Sequence, residues 1–217
     1  MDFGVRSTAV ALDILETVAF APKEIGVSAI ATELGLAKSA VFRHLQTLLD
    51  RGYVRRNSAT SRYRLGVKLQ LLAQLTADED NLLAAAEGPM SDLRDEVGET
   101  IVLSALERSG VRVVATSIRN SMLEIGVRVG SLLPFASSAQ GKTILAHLPR
   151  EMADQLLDSV QGEKILRKLN RELSRARRQG WLESAGEVMP GVNAIAAPIF
   201  DASDSCIGAI AVVGLFA

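Results

Sequence analysis

The stretch from Ala37 to Leu65, AKSAVFRHLQTLLDRGYVRRNSATSRYRL, decides how the remainder is read. Val41, Leu45 and Leu48 recur at the i, i+4, i+7 spacing of one helix face, which leaves Lys38, Ser39, Arg43 and Gln46 on other faces. Gly52 stops that helix, Tyr53-Val54-Arg55-Arg56 reads as a strand, and Asn57 to Ser61 turn the chain back into Arg62-Tyr63-Arg64-Leu65. A helix with one buried stripe and a cationic remainder, followed by a basic two-stranded wing, suits the reading of DNA. From Lys38 to Arg64 seven cations stand against one anion, a net of +6, while the whole chain carries -1. Positive charge is concentrated where the helix and wing lie.

Upstream, Ser7 or Thr8 is placed to cap a first helix that repeats Val10, Ile14 and Val18 and ends before Pro22. Ser28 is placed to cap a short second helix carrying Ile30, Ala31 and Leu34, and Gly35 supplies the tight turn into the third. Helix, glycine turn and helix is the helix-turn-helix spacing. Such a pair can also be simple packing; the basic helix and wing are what favour DNA. Beyond Gly66, Val67 to Thr76 keeps helical periodicity with Leu65, Leu69 and Leu72 on one stripe. Two readings stand for it: a helix packed on its own domain, or a seam joining two DNA-binding heads.

With 217 residues the chain is comfortable as two domains, each able to bury a core. Hydrophobic residues at 48% without a run near the ~20 needed for a membrane span argue against a membrane protein. The start, MDFGVRST, lacks the basic opening and apolar block of a signal peptide, so the expected location is the cytoplasm. One cysteine and two histidines exclude an internal disulfide and make neither a metal site nor a cofactor expected.

From Asp78 the pattern changes. Asn81 to Val97 reads as a helix interrupted at Gly88-Pro89, and strands are expected at Thr100 to Leu106, Val111 to Ile118 and Met122 to Val129. Helices follow at Ser137 to Leu148, Arg150 to Val160 and Ile165 to Gln179, then strands at Ala194 to Phe200 and Cys206 to Leu215. Strands, helices and strands again predict an antiparallel sheet with helices against it, an α+β domain.

Gln140-Gly141-Lys142-Thr143 ends like a phosphate loop, but the required first glycine is Ala136, so nucleotide binding is set aside. Ser137, Ser138 and Ala139 stand at a helix start, where free N–H groups and the helix dipole favour an anion such as a carboxylate. A serine there can equally be a simple cap. No hydrolase pattern is present, and no enzyme is expected: G-x-S-x-G is missing, His147 has no triad context, and Glu183, Glu187, Asp201 and Asp204 read as solvated loop acids. Cys206, entering an apolar strand, reads as a small buried hydrophobe, with a redox sensor as the alternative.

Ala37-Lys38-Ser39-Ala40-Val41-Phe42-Arg43, Leu45-Gln46-Thr47-Leu48, Gly52-Tyr53-Val54 and Tyr63-Arg64-Leu65-Gly66 together resemble the IclR family of bacterial transcriptional regulators. Pro134 to Lys142, Gly191 and Ile195 to Asp201 resemble its effector-binding domain. The resemblance implies a winged helix-turn-helix domain over 1–66, a linker helix over 67–77 and a GAF-like (profilin-like) domain over 78–217. It implies a homodimer or homotetramer on a partly palindromic double-stranded DNA operator, answering a small organic acid. Carried over, DNA contacts fall to Ser28, Lys38, Ser39, Arg43 and His44, with Arg55, Arg56 and Arg62 from the wing. The effector pocket falls to Met122, Ile125, Ser138, Ala139, Ala194, Ala211 and Val213.

Three departures qualify this. Members that take small polar acids offer serines on the last strand; Ala211 and Val213 are apolar, which favours a more hydrophobic, aromatic acid. Ala136 stands where the family often has histidine. The sequence ends at Ala217 where the family continues with a closing helix, so a shortened domain or a weakened oligomer is expected. The alternative function is a regulator whose second domain only oligomerises, without a ligand.

Overall fold

Val41, Leu45 and Leu48 are buried on the inner face of one helix, as their spacing predicts. The computed structural model describes residues 5–75, 82–107, 110–118, 127–157 and 162–215, in two units, Met1–Asn81 and Leu82–Ala217. The first contains α1 (Arg6–Phe20), α2 (Val27–Leu34), α3 (Lys38–Asp50), β1 (Val54–Arg56), β2 (Tyr63–Leu65) and α4 (Val67–Leu75). Its core gathers Ile14 and Val18 of α1, Ile30 of α2, the α3 stripe, and Val54 and Tyr63 of the wing. α2 ends at Gly35, whose φ of 64° lets its N–H turn back onto Ala31 and Thr32 carbonyls before α3 begins.

The helix starts differ from the expected ones. α1 begins at Arg6 because the Val5 carbonyl already accepts from Thr8 and Ala9, and neither Ser7 nor Thr8 caps it. α2 begins at Val27, with Gly26 at the cap position and Ser28 exposed inside the first turn. The cause is tertiary: Ile25 exchanges backbone bonds of 3.0 and 2.8 Å with Tyr63, which holds the chain extended up to Gly26. β1 and β2 pair antiparallel, Val54 with Leu65, Arg55 with Arg64 and Arg56 with Tyr63. On α4 the large apolar residues Val67, Leu71 and Leu72 are exposed, whereas Leu65 and Leu69 are half-buried, so Leu72 of the expected stripe is exposed and the other two are partly covered.

The second unit contains α5 (Leu82–Val97), β3 (Thr100–Glu107), β4 (Gly110–Ser117), β5 (Leu132–Leu133), α6 (Ala139–His147), α7 (Arg150–Leu157), α8 (Glu163–Gln179), β6 (Leu182–Ala185), β7 (Asn193–Phe200) and β8 (Cys206–Gly214). The strands form one antiparallel sheet in the order β5-β4-β3-β8-β7-β6. Period-two alternation sorts its faces. Val102, Val113, Ala196, Ala211 and Val213 pack with Ile144 and Leu145 of α6 and Leu169 and Leu173 of α8. Ile101 and Leu103 pack on Met90 of α5 from the other side. This is the α+β architecture expected.

α5 runs unbroken through Pro89. Ala85, whose carbonyl loses its donor there, is exposed along with Pro89, so water can serve that group. Of the expected strand from Met122 to Val129, residues 122–126 lie outside the described residues and 127–129 are not a strand. Among the described residues β5 takes the edge position, pairing Leu133 with Val111. β6, only four residues long and with a polar Ser184 at one of its two buried positions, is too short to stand out in the sequence. No helix among the described residues is long and apolar enough to cross a membrane.

Candidate nucleic-acid interface and ligand cavity

On α3, Lys38, Ser39 and Arg43 are exposed and His44 is half-buried. Neither Lys38 nor Arg43 makes a side-chain bond with a described residue, whereas Gln46 Nε2 donates to Asp50 Oδ1 at 2.9 Å. Phe42, also exposed, stands on the same outward face and was not singled out by its spacing. An apolar ring beside two free cations is suited to a thymine methyl group.

In the wing, Arg55 and Arg64 are cross-strand partners and so project from one face. Arg56 lies on the other face and donates through Nη2 to Ser61 Oγ at 2.8 Å. Glu24, in the loop before α2, organises the rest. Its Oε2 accepts from Asn57 Nδ2 at 2.9 Å and Thr60 Oγ1 at 3.2 Å. Its Oε1 lies 3.5 Å from Arg64 Nε, and its backbone carbonyl accepts from Arg62 Nη1 at 3.4 Å. Asn57 Oδ1 in turn accepts from the N–H groups of Ala59 and Thr60, closing the turn. Glu24 and Arg64 were not among the expected site residues.

In the second unit Ser138 caps α6: its Oγ accepts from the Gly141 N–H at 2.9 Å and donates to the Pro134 carbonyl at 2.7 Å. Helical bonding begins with Lys142 N–H to Ser138 O. The N–H groups of Ala139 and Gln140 therefore have no acceptor among the described residues, and both residues border a cavity of about 390 Å³. Ala194 and Val213, from adjacent strands, form part of the wall, with Leu133 on another side. Arg128 and Ser131, ahead of β5, and Ser184 of β6 add polar groups. Val188, Met189 and Val192, between β6 and β7, close the outer side.

Of the residues assigned to an effector, Ser138, Ala139, Ala194 and Val213 thus stand around one cavity. Ala211 shares a face with Val213 but is packed in the core and does not line the cavity. Met122 and Ile125 lie outside the described residues. A second cavity, of about 420 Å³ between α5 and β4, holds the acid Glu87 and no cation, which disfavours an anion there.

The run that imitates a phosphate loop is used for packing. A Cβ on Gly141 would meet the Pro134 carbonyl at 2.6 Å, so only glycine lets the preceding turn lie against α6. Thr143 Oγ1 donates to the Ala196 carbonyl at 3.3 Å. Lys142, with 1% of its side chain exposed, sits 2.8 Å from both Glu172 Oε2 of α8 and Glu187 Oε2. Burial pushes the Glu172 carboxyl up, but its hydrogen bond to Lys142 and the charges of Lys142 and Lys168 outweigh that and hold it below its ordinary value.

Of the acids read as solvated, Glu183 and Asp204 are exposed as expected, while Glu187 departs from that reading. Glu187 pairs with a buried lysine, Glu183 lies in β6 within 3.4 Å of Arg175, and Asp201 accepts from the Ser203 and Ser205 N–H groups in the turn before β8. Cys206 is buried, and burial pushes its thiol up, away from the thiolate form. His147 is bonded to the Thr143 carbonyl through Nδ1 and meets Phe200 edge-on. Among the described residues no cluster of three or more His, Cys, Asp or Glu could hold a metal ion.

Comparison with known proteins shows the family and the shared fold. Residues 74–217 match the family described as bacterial transcriptional regulator IclR C-terminal, and residues 7–58 match the IclR helix-turn-helix domain. The glycerol operon regulatory protein of Streptomyces griseus is 31% identical, over 97% of this chain and 85% of that protein. The crystal structure of Pseudomonas aeruginosa HmgR matches with a TM-score of 0.74 and 31% identity, over 97% of this chain and 89% of that one. An IclR homolog from Microbacterium hydrocarbonoxydans, complexed with 4-hydroxybenzoate, matches with a TM-score of 0.80, over 96% of this chain and 89% of that one. At 24% identity the last shows the shared fold alone.

Proposed function

The chain belongs to the IclR family of bacterial transcriptional regulators, and from that premise we propose that its second unit senses a small aromatic acid that alters how the first holds DNA. It is a DNA-binding regulator, not an enzyme. The observation that carries the sensing role is the open start of α6. Ala139 and Gln140, whose N–H groups have no acceptor among the described residues, line a cavity whose size suits a small ligand and whose wall at Ala194 and Val213 is apolar. The carboxylate belongs at Ala139 and Gln140, with Arg128 as the cation on the lining, and the ring belongs against Ala194 and Val213.

On DNA, α3 enters the major groove with Lys38, Ser39, Arg43 and His44, while Arg55, Arg56 and Arg62 of the wing and Ser28 of α2 hold the backbone. Domain limits of 1–66, 67–77 and 78–217 follow from this reading, with the exposed Val67, Leu71 and Leu72 of α4 as the seam between copies. A homodimer or homotetramer on a partly palindromic operator, acting in the cytoplasm, completes it. The test is thermal melting of the full chain against a panel of aromatic and aliphatic carboxylic acids, beginning with 4-hydroxybenzoate. A ligand of the native state raises the melting temperature. No rise with any acid, beside intact DNA binding, would favour a second domain that only oligomerises.

A further inference from the structure

The segment Gly186–Val192, between β6 and β7, forms the outer side of the cavity through Val188, Met189 and Val192. Val188 and Met189 are nevertheless 52% and 59% exposed, so packing alone holds them weakly. The backbone bonds within the segment, Gly186 N–H to Val192 O and Val192 N–H to Met189 O, close it on itself and tie it to nothing else. Among the described residues the only bonds or ion pairs that leave it are those of Glu187. Its Oε2 lies 2.8 Å from Lys142 Nζ, and its Oε1 lies 3.4 Å from Lys168 Nζ of α8.

We infer that Glu187 and Lys142 are positioning residues for the cavity: their ion pair fixes the 186–192 segment as its wall and couples that wall to the start of α6. Lys142 belongs to the first turn of α6, one residue beyond Gly141 and two beyond Gln140, which lines the same cavity. The Lys142 side chain is 1% exposed, and two carboxylates at 2.8 Å offset the hydration lost on burial. Glu172 is anchored on a helix, whereas Glu187 is carried by the segment. The two acids make equivalent bonds to Lys142, yet only one of them holds a wall.

This asymmetry supplies the test, which rests on the ligand reading above in one arm only. Glu187→Gln and Glu172→Gln are made in the full chain, and backbone hydrogen exchange is followed in peptides covering 186–192. Both substitutions lower the melting temperature, since each leaves Lys142 with one charged partner. Only Glu187→Gln is expected to speed exchange in 186–192, by about tenfold or more, with Glu172→Gln within twofold of the parent protein. Equal acceleration in both, or none in Glu187→Gln, overturns the positioning role and leaves a purely structural ion pair. In the second arm, 4-hydroxybenzoate is titrated into each protein. About tenfold weaker binding in Glu187→Gln, with Glu172→Gln unchanged, supports the role, and equal weakening in both overturns it. If the acid does not bind the parent protein, the ligand reading fails for that acid while the exchange comparison still decides the wall.

Discussion

Asn57 Nδ2 donates to Glu24 Oε2 at 2.9 Å, so the turn of the wing is fastened to the loop between α1 and α2 rather than standing alone. The same carboxylate reaches Thr60 and Arg64. Glu24→Ala is expected to loosen the wing turn and reduce discrimination between specific and random duplexes, measured as the ratio of the two affinities. Glu24→Gln keeps an acceptor for Asn57 and removes a negative charge beside the DNA. It should therefore raise affinity for all sequences and steepen the salt dependence.

Arg55 is exposed without a bonded partner among the described residues, on the wing face it shares with Arg64. Arg55→Ala should weaken binding to every sequence and reduce the salt slope by about 1, as loss of one phosphate contact does. Arg43→Ala should cost about 1–3 kcal/mol on the preferred duplex and relax the preference at one base pair. Salt-series titrations on matched and scrambled duplexes separate the two effects.

Gly141→Ala drives a methyl group into the Pro134 carbonyl and the Phe135 Cα, at 2.6 and 2.7 Å. Backbone must shift, and overpacking of this kind costs about 1–3 kcal/mol. The expected result is a lower melting temperature together with lost acid binding, because the turn that shapes the start of α6 has moved. Unchanged melting would contradict the close approach.

The depressed carboxyls of Glu172 and Glu107 give the second unit an acid-sensitive stability. Hydrogen bonding to Arg112, against the opposing effect of burial, lowers Glu107. A carboxyl whose folded value lies below its ordinary 4.5 contributes fully above that pH, where the unfolded chain has also released its proton. The contribution is lost as pH falls from there through the lowered folded value. Melting temperature should drop below about pH 4.5, and more shallowly in Glu172→Gln.

The helix-turn-helix core and the alternating strands were legible because burial there repeats at the helix or strand period, as Val41, Leu45 and Leu48 show. Partnerships across long separations leave no such mark. Glu24 meets Asn57 at a separation of 33 residues, and Lys142 meets Glu187 at 45, so both acids look like ordinary loop charges in the chain. The start of α2 escaped for a related reason, since Tyr63 sets it by pairing with Ile25. Ser138 was legible as a cap or an anion site, and it caps, while the neighbouring Ala139 and Gln140 line the cavity.

The most direct measurement of the account is DNA affinity with and without acid. A duplex recovered by selection from random sequences is titrated with the full chain and with Ala194→Phe, whose larger side chain fills the cavity wall. With 4-hydroxybenzoate or the best acid from the melting panel, affinity should change several-fold in the parent protein and stay constant in Ala194→Phe, both binding the duplex alike without acid. An acid that raises the melting temperature yet leaves DNA affinity unchanged, or that acts equally on Ala194→Phe, would contradict it.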